Sequence, residues 1–308
     1  MKNKVYCQLF SLLKTNLDEL LPSLRIISEI GYDGVELMGC STGGLELKEY
    51  IQLLNDLKLN PISSHNLKNE KDFEIAQRMG VRYTDIRVSF KDHTRDTILR
   101  EAEKMNEEGR LRAKYGMKAV LHNHSEEFRW VEGEENINRI YDVLIQNTDP
   151  EYVGFEFDVG WGAFAGADPV EYVRKYAGRF PLIHVKEVDR IAKNDDELEH
   201  FPKGVLEMGA PVFPKNPNAA KTGILKDICY FTEAQAKIMY EGRAWNGRLG
   251  EGIINWPLLI EECEKQGTEA YINEREYFDY PGGNNDVKYC VREDYEYLCS
   301  ILDGEEKR

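Results

Sequence analysis

What most limits the fold of this 308-residue chain is an alternation repeated eight times: a short β-rich run, then a longer amphipathic stretch. The β-rich runs are Lys4–Phe10, Gly34–Leu37, Ile62–His65, Tyr83–Val88, MKAVLHNH ending at His124, Val153–Asp158, FPLIHVKEV and Ala270–Glu274. After the first, Leu17, Leu20, Leu21, Leu24, Ile27 and Ile30 recur at spacings of three and four, the period of a helix with one apolar face. Further helices are expected at about 47–57, 72–79, 95–115, 135–146, 168–177 and 286–301. Strands separated by helices are joined by crossovers and therefore pair in parallel. Eight such units predict an α/β fold, a single (β/α)8 TIM barrel domain over residues 1–308. The alternative, an open doubly wound sheet, lacks its usual mark: QLFSLLKTN after the first strand has no glycine for a phosphate-binding turn.

One stretch breaks the rhythm. About 80 residues separate the seventh and eighth strands. LGEGIINWPLLIEECEKQG predicts a turn and a helix, and about 191–248 is a long insertion after strand seven, rich in Pro, Gly, Lys and Asn. Following a barrel strand, it is expected at the C-terminal, active-site face as a lid, a specificity loop or a subunit contact. A plain surface excursion is the alternative.

Charge and cysteine usage narrow the function. A net charge of −15 argues against nucleic-acid binding. No apolar run approaches the ~20 residues of a membrane span, and no cleavable leader pattern is present. The six cysteines are scattered without C-x-x-C spacing, so free thiols and a cytoplasmic location are expected.

In such a barrel the chemistry sits at the C-terminal strand ends. The ionisable residues there are Glu36, His65, Arg87, His122, His124 with Glu126 and Glu127 just beyond, Glu156, Asp158, His184, Lys186, Glu187, Glu274 and Glu276. Alternation along a strand puts His122 with His124, Glu156 with Asp158, and His184 with Lys186 on shared faces. Strands buried on both faces are normally continuous apolar runs, so charges converging here must pair or bind metal. Carboxylates and imidazoles suit Mn²⁺, Mg²⁺, Co²⁺ or Zn²⁺.

HNHSEEF, GFEFDVGW, IHVKEVD, LGEGIINW and INERE, in this order at strand ends, resemble the xylose isomerase-like TIM barrels, the sugar phosphate isomerase/epimerase superfamily. The H-N-H-x-x-E-F pattern is similar to the branch near inosose dehydratase and the keto-glycoside and C-glycoside lyases. The resemblance covers most of the chain outside about 191–248; in the N-terminal third only the rhythm, GYDGVEL and the position of His65 take part. It implies one divalent metal ion, Mn²⁺ expected ahead of Mg²⁺, Co²⁺ or Zn²⁺, held by Glu127, Asp158, His184 and Glu274. Many members place the first glutamate inside strand five, whereas here it follows His124 by three residues.

The implied reaction is proton abstraction next to the carbonyl of a sugar or keto-sugar through a metal-stabilised enediolate, by an isomerase or epimerase. The alternative is a lyase acting by β-elimination, such as an inosose dehydratase or a C-glycoside deglycosidase large subunit; a sugar-binding barrel is the non-enzyme alternative. Glu127 and Glu274 serve as acid and base in the epimerase branch. In the H-N-H branch His124 is the expected base, with His122 second, since imidazole titrates near neutrality. Substrate contacts are expected from His65, Lys186, Arg87 and Trp161, each of which also has an ordinary packing or ion-pair role open to it. DNA-acting relatives on this barrel need a histidine-rich three-metal site and a basic groove, against which six histidines and the acidic charge argue. The expected partners are a small-molecule substrate and either copies of the same chain or a small second subunit.

Overall fold

The computed structural model describes residues 4–13, 20–199, 245–275 and 287–304, together with 238, 241 and 242. Eight strands, β1 (Val5–Gln8), β2 (Gly34–Met38), β3 (Asn60–His65), β4 (Tyr83–Ile86), β5 (Lys118–His122), β6 (Val153–Asp158), β7 (Leu182–Val185) and β8 (Ala270–Asn273), pair in parallel in chain order. β8 returns to β1, through Val5↔Tyr271 to Cys7↔Asn273, and closes the expected TIM barrel. The helices are α1 (Phe10–Leu13), α2 (Leu20–Ile30), α3 (Leu47–Asp56), α4 (Glu70–Met79), α5 (Arg95–Ala113), α6 (Ile140–Asn147), α7 (Val159–Phe164), α8 (Pro169–Lys175), α9 (Trp256–Gln266) and α10 (Val287–Leu302). Their ends follow local chemistry: Asn69 caps α4 by accepting from the Lys71 and Asp72 amides, and Gly80 ends it at φ 90°. None of the described helices is long and apolar enough to cross a membrane.

Period-two alternation builds the site. One residue of each pair faces the helices, where Val35, Leu37, Ala119, Leu121, Phe155, Phe157 and Ile183 join the large outer core. The other faces the barrel interior, where Tyr6, Ile62, Tyr83, Val120, Leu182 and Ile272 form a separate apolar floor. Two residues further along four of those strands stand Gln8, His122, His184 and Glu274, all at the strand ends. A dry apolar layer thus supports a polar one, at the barrel end where the strands finish.

The structure departs from expectation at a few boundaries. The helix expected from about 135 starts only at Ile140, because Trp130 and Arg139 pair across an antiparallel bridge and hold the chain in a loop. β4 stops at Ile86, which leaves Arg87 outside the sheet. A short helix, α7, follows β6 with no connecting loop. Most of the expected insertion, with Cys229 and His200 inside it, lies outside the described residues, and so does Glu276. Cys7, Cys40, Cys263, Cys290 and Cys299 are free thiols.

Candidate active site

Asp158 is both the last residue of β6 and the N-cap of α7. One carboxylate oxygen, Oδ1, accepts the Trp161 amide at 2.9 Å, and this fixes where the other points. Asn123, between the two histidines of HNH, grips the same residue by its backbone: Nδ2 donates to the Asp158 carbonyl at 3.1 Å and Oδ1 accepts its amide at 3.0 Å. Gly160 is required next to it, since a Cβ there would lie 2.7 Å from Lys186 Cβ.

Strand register brings the partners level. His184 on β7 lies opposite Asp158, and His122 on β5 lies opposite Glu156. His122 Nε2 sits 3.6 Å from Asp158 Oδ2 and 4.0 Å from Glu274 Oε2, while His184 Nδ1 sits 3.3 Å from Glu274 Oε2. His122, Asp158, His184 and Glu274 each offer a ligand atom, all within 4.8 Å of one another. Bonds of about 2.0–2.2 Å from nitrogen and oxygen put neighbouring ligand atoms roughly 3–3.5 Å apart, so the 3.3 Å spacing here already suits an ion, and the 3.6 and 4.0 Å spacings would close by a few tenths of an ångström around one. The buried His122 Nε2 makes no hydrogen bond. Burial, with His184 nearby, holds the His122 imidazole below its ordinary pKa, so its lone pair is available for a metal. The residues present fit a divalent ion.

A second group lies against the first and shares His184. Its members are Glu36, His65, Glu156 and His184, all buried. Glu36 is held on both oxygens: Oε1 accepts Gln8 Nε2 at 2.6 Å and lies 2.8 Å from His184 Nε2, and Oε2 accepts Ser63 Oγ. His65 Nε2 lies 2.6 Å from Glu156 Oε2. Burial works against charge on Glu36, but the imidazoles of His65 and His184 hold its carboxyl well below the usual range. Burial, reinforced by Glu36, pushes Glu156 up to about 8. Because His184 Nε2 faces Glu36, Nδ1 is the nitrogen left to face Glu274, the carboxylate–histidine arrangement that orients a metal ligand.

No family model matches the chain. An inosose dehydratase from Clostridium botulinum (strain Alaska E43 / Type E3) is 34% identical over 106 residues, 34% of this chain and 34% of that protein. The chain therefore matches about a third of the length of that curated relative. Over the whole fold, a sugar phosphate isomerase/epimerase from Parabacteroides distasonis ATCC 8503 superposes with a TM-score of 0.66 at 20% identity, covering 98% of this chain and 96% of that one. The IOLI protein, solved with a binding zinc atom, superposes with a TM-score of 0.63 at 12% identity, covering 99% and 100%. The fold is that of the xylose isomerase-like TIM barrels.

Three of the four ligands that the resemblance to these barrels implies, Asp158, His184 and Glu274, come together in one group, and His122 stands fourth. Glu127 is not among those four. It lies in a 3₁₀ turn, Glu126–Phe128, where its Oε2 accepts the His124 amide at 2.8 Å, and burial pushes its carboxyl up to about 7. The His124 ring stands edge-on to His122 at 5.1 Å and to Trp161 at 5.5 Å. Lys186 Nζ touches Asp158 Oδ2 at 3.0 Å and Glu274 Oε2 at 2.9 Å. His65 belongs to the deeper group. Trp161 is 1% exposed and packs edge-on to Trp245. Arg87 is far more open: its side chain is 74% exposed, ion-paired to Asp85 at 3.5 Å, beside a cleft of about 580 Å³ that it lines with Lys91, Arg100 and Lys104.

Asn123 and the Glu36–Glu156 pair had no assigned role in the sequence. Their signals were present, a polar residue between two histidines and carboxylates on otherwise apolar strands, but their partners are 27 to 148 residues away in the chain. Glu187 is also structural: it accepts the amides of Val188 and Gly250 and the Trp256 indole N–H at 2.7 Å, and so pins the GEG turn beside β7.

Proposed function

We propose that this chain is a divalent-metal-dependent enzyme that takes a proton from the carbon next to the carbonyl of a sugar or keto-sugar and so isomerises or epimerises it. The observation that carries this reading is the convergence of His122, Asp158, His184 and Glu274 at the strand ends, with a buried His122 nitrogen that makes no hydrogen bond. A bound ion would polarise the carbonyl and the neighbouring hydroxyl and stabilise the charge that develops on proton loss. Mn²⁺ is the first ion to test, with Mg²⁺, Co²⁺ and Zn²⁺ beside it.

The chain's own residues supply the rest. His122 presents a neutral nitrogen. Burial works against charge on His184, but the carboxylates around it hold its imidazole well above the ordinary pKa, so it must give up a proton to bind a metal; the Glu36 carboxylate fixes its ring. His124, next to this group but outside it, is the base, and Glu127 fixes its backbone through the amide. Lys186 supplies a polar contact for substrate oxygens at the same strand ends, His65 stands behind it against Glu156, and Arg87 offers an anion contact further out.

A second reading, β-elimination, is favoured by the similarity to inosose dehydratases. It shares the proton abstraction and differs in whether a leaving group sits two carbons from the carbonyl. Asp158→Asn is expected to lose metal binding by about hundredfold or more, and His124→Ala is expected to abolish exchange of the substrate proton with D₂O while leaving metal binding intact. A protein with no bound divalent ion, or exchange that survives His124→Ala, would falsify the assignment. A panel of free sugars, sugar phosphates and 3-keto-glycosides then separates the two readings: an isomeric product supports the first, loss of water or of an aglycone the second.

A further inference from the structure

Lys186 occupies the atoms a metal needs. Its ammonium lies 3.0 Å from Asp158 Oδ2 and 2.9 Å from Glu274 Oε2. Those same two oxygens face His122 Nε2, and Glu274 Oε2 also faces His184 Nδ1. The lysine is 4% exposed, and its stem cannot drift, because Gly160 packs so close that a Cβ there would come within 2.8 Å of Lys186 Cγ. Only the far end of the side chain has room to move, and the Trp161 ring lies 5.2 Å from Nζ. An aromatic face stabilises an ammonium held against it.

We propose that Lys186 is a built-in stand-in for the metal: in the metal-free protein its ammonium neutralises Asp158 and Glu274, and an arriving divalent ion displaces it from both oxygens toward the face of Trp161. The inference rests on the metal reading above and deepens it. Two buried carboxylates without a counter-ion are costly, so the lysine keeps the strand ends folded before the site is loaded. The same contact opposes loading, because the ion must take oxygens already held by a cation and then lie close to that cation. Removing the ammonium therefore has two opposite effects. The metal-free fold weakens, and metal binding strengthens. A lysine that only contacts substrate would leave metal affinity unchanged. A lysine that supports the ligands by hydrogen bonding would weaken metal binding when lost.

The test uses Lys186→Met, which keeps an unbranched stem, and Lys186→Arg, which keeps the charge. Mn²⁺ and, in parallel, Zn²⁺ are titrated by calorimetry into metal-free wild type, both variants and Asp158→Asn, and Tm is measured with and without the ion. Lys186→Met is expected to bind at least about tenfold more tightly than wild type and to show a lower metal-free Tm with a larger rise on loading. Lys186→Arg is expected to stay close to wild type in both. Unchanged or weaker binding by Lys186→Met overturns the proposal, while binding by wild type that Asp158→Asn lacks leaves the metal reading standing. Wild type that binds neither ion, or no better than Asp158→Asn, removes the metal reading and this proposal with it. If Lys186→Met folds only when loaded, extraction by a chelator replaces the titration: slower release than from wild type supports the stand-in role, and equal or faster release overturns it.

Discussion

The two groups that meet at His184 are made of nearly the same residue types but are engaged differently. In the deeper one, both oxygens of Glu36 are engaged, by Gln8 and His184 on one side and Ser63 on the other, and His65 is tied to Glu156. In the outer one, His122 Nε2 has no hydrogen bond, and the two carboxylates share a single ammonium at the end of a flexible side chain. The deeper group also leaves one buried atom, Glu156 Oε1, without a hydrogen bond, but its carboxylates are held by short-range imidazole, amide and hydroxyl partners rather than by a movable ammonium. Residue type alone does not distinguish the two groups at the mouth of this barrel; the partners that engage their carboxylates do.

The comparison breaks most directly at Glu36. Glu36→Ala removes the counter-charge of two buried imidazoles and is expected to cost about 3–5 kcal/mol of stability by chemical denaturation, and to weaken metal binding because His184 loses its orienting partner. A loss below about 1 kcal/mol would show that the deeper group is not the support.

Glu127 sharpens the comparison from the other side, as a buried carboxylate that belongs to neither group. Its pKa near 7 in the folded chain exceeds the ordinary 4.5, so the folded state holds the proton more tightly than the unfolded chain does. The stability this contributes is complete below pH 4.5 and is lost as the pH rises toward 7. In metal-free protein, Glu127→Gln is therefore expected to be more stable than wild type at pH 8 by up to roughly 3 kcal/mol, with the two converging toward pH 4.5. Parallel stability curves across that range would place the carboxylate in a solvated or ion-paired setting instead, as a metal ligand would be.

The smallest effect belongs to Arg87, outside both groups. Arg87→Ala is expected to change stability by less than about 0.5 kcal/mol, since its side chain is 74% exposed and its ion pair is a surface one. Its value is as a specificity probe: it is expected to raise KM for phosphorylated sugars and leave KM for neutral sugars unchanged, and equal KM values for both would remove it as a substrate contact.

Much of this was legible in the sequence. The barrel followed from a repeated local pattern, because period two and period 3.6 depend only on neighbours along the chain. The inward direction of His122, His184 and Glu274 followed as well, since each stands two residues beyond an apolar floor residue, Val120, Leu182 and Ile272. The late start of α6 was not legible, because it depends on the pairing of Trp130 with Arg139. Nor was α7, which begins on a residue whose carboxylate serves the cap and faces the site at once.

The sequence alone determined which residues reach the mouth of the barrel, because strand alternation and the order of strands around a closed parallel sheet leave little choice. Only the tertiary structure decided which of them share a site. Register set Asp158 opposite His184, a turn took Glu127 to the backbone of His124, and Lys186 folded back between two carboxylates. Such choices rest on distances of a few ångströms between residues far apart in the chain, and electrostatic and hydrogen-bond energies fall off steeply over that range.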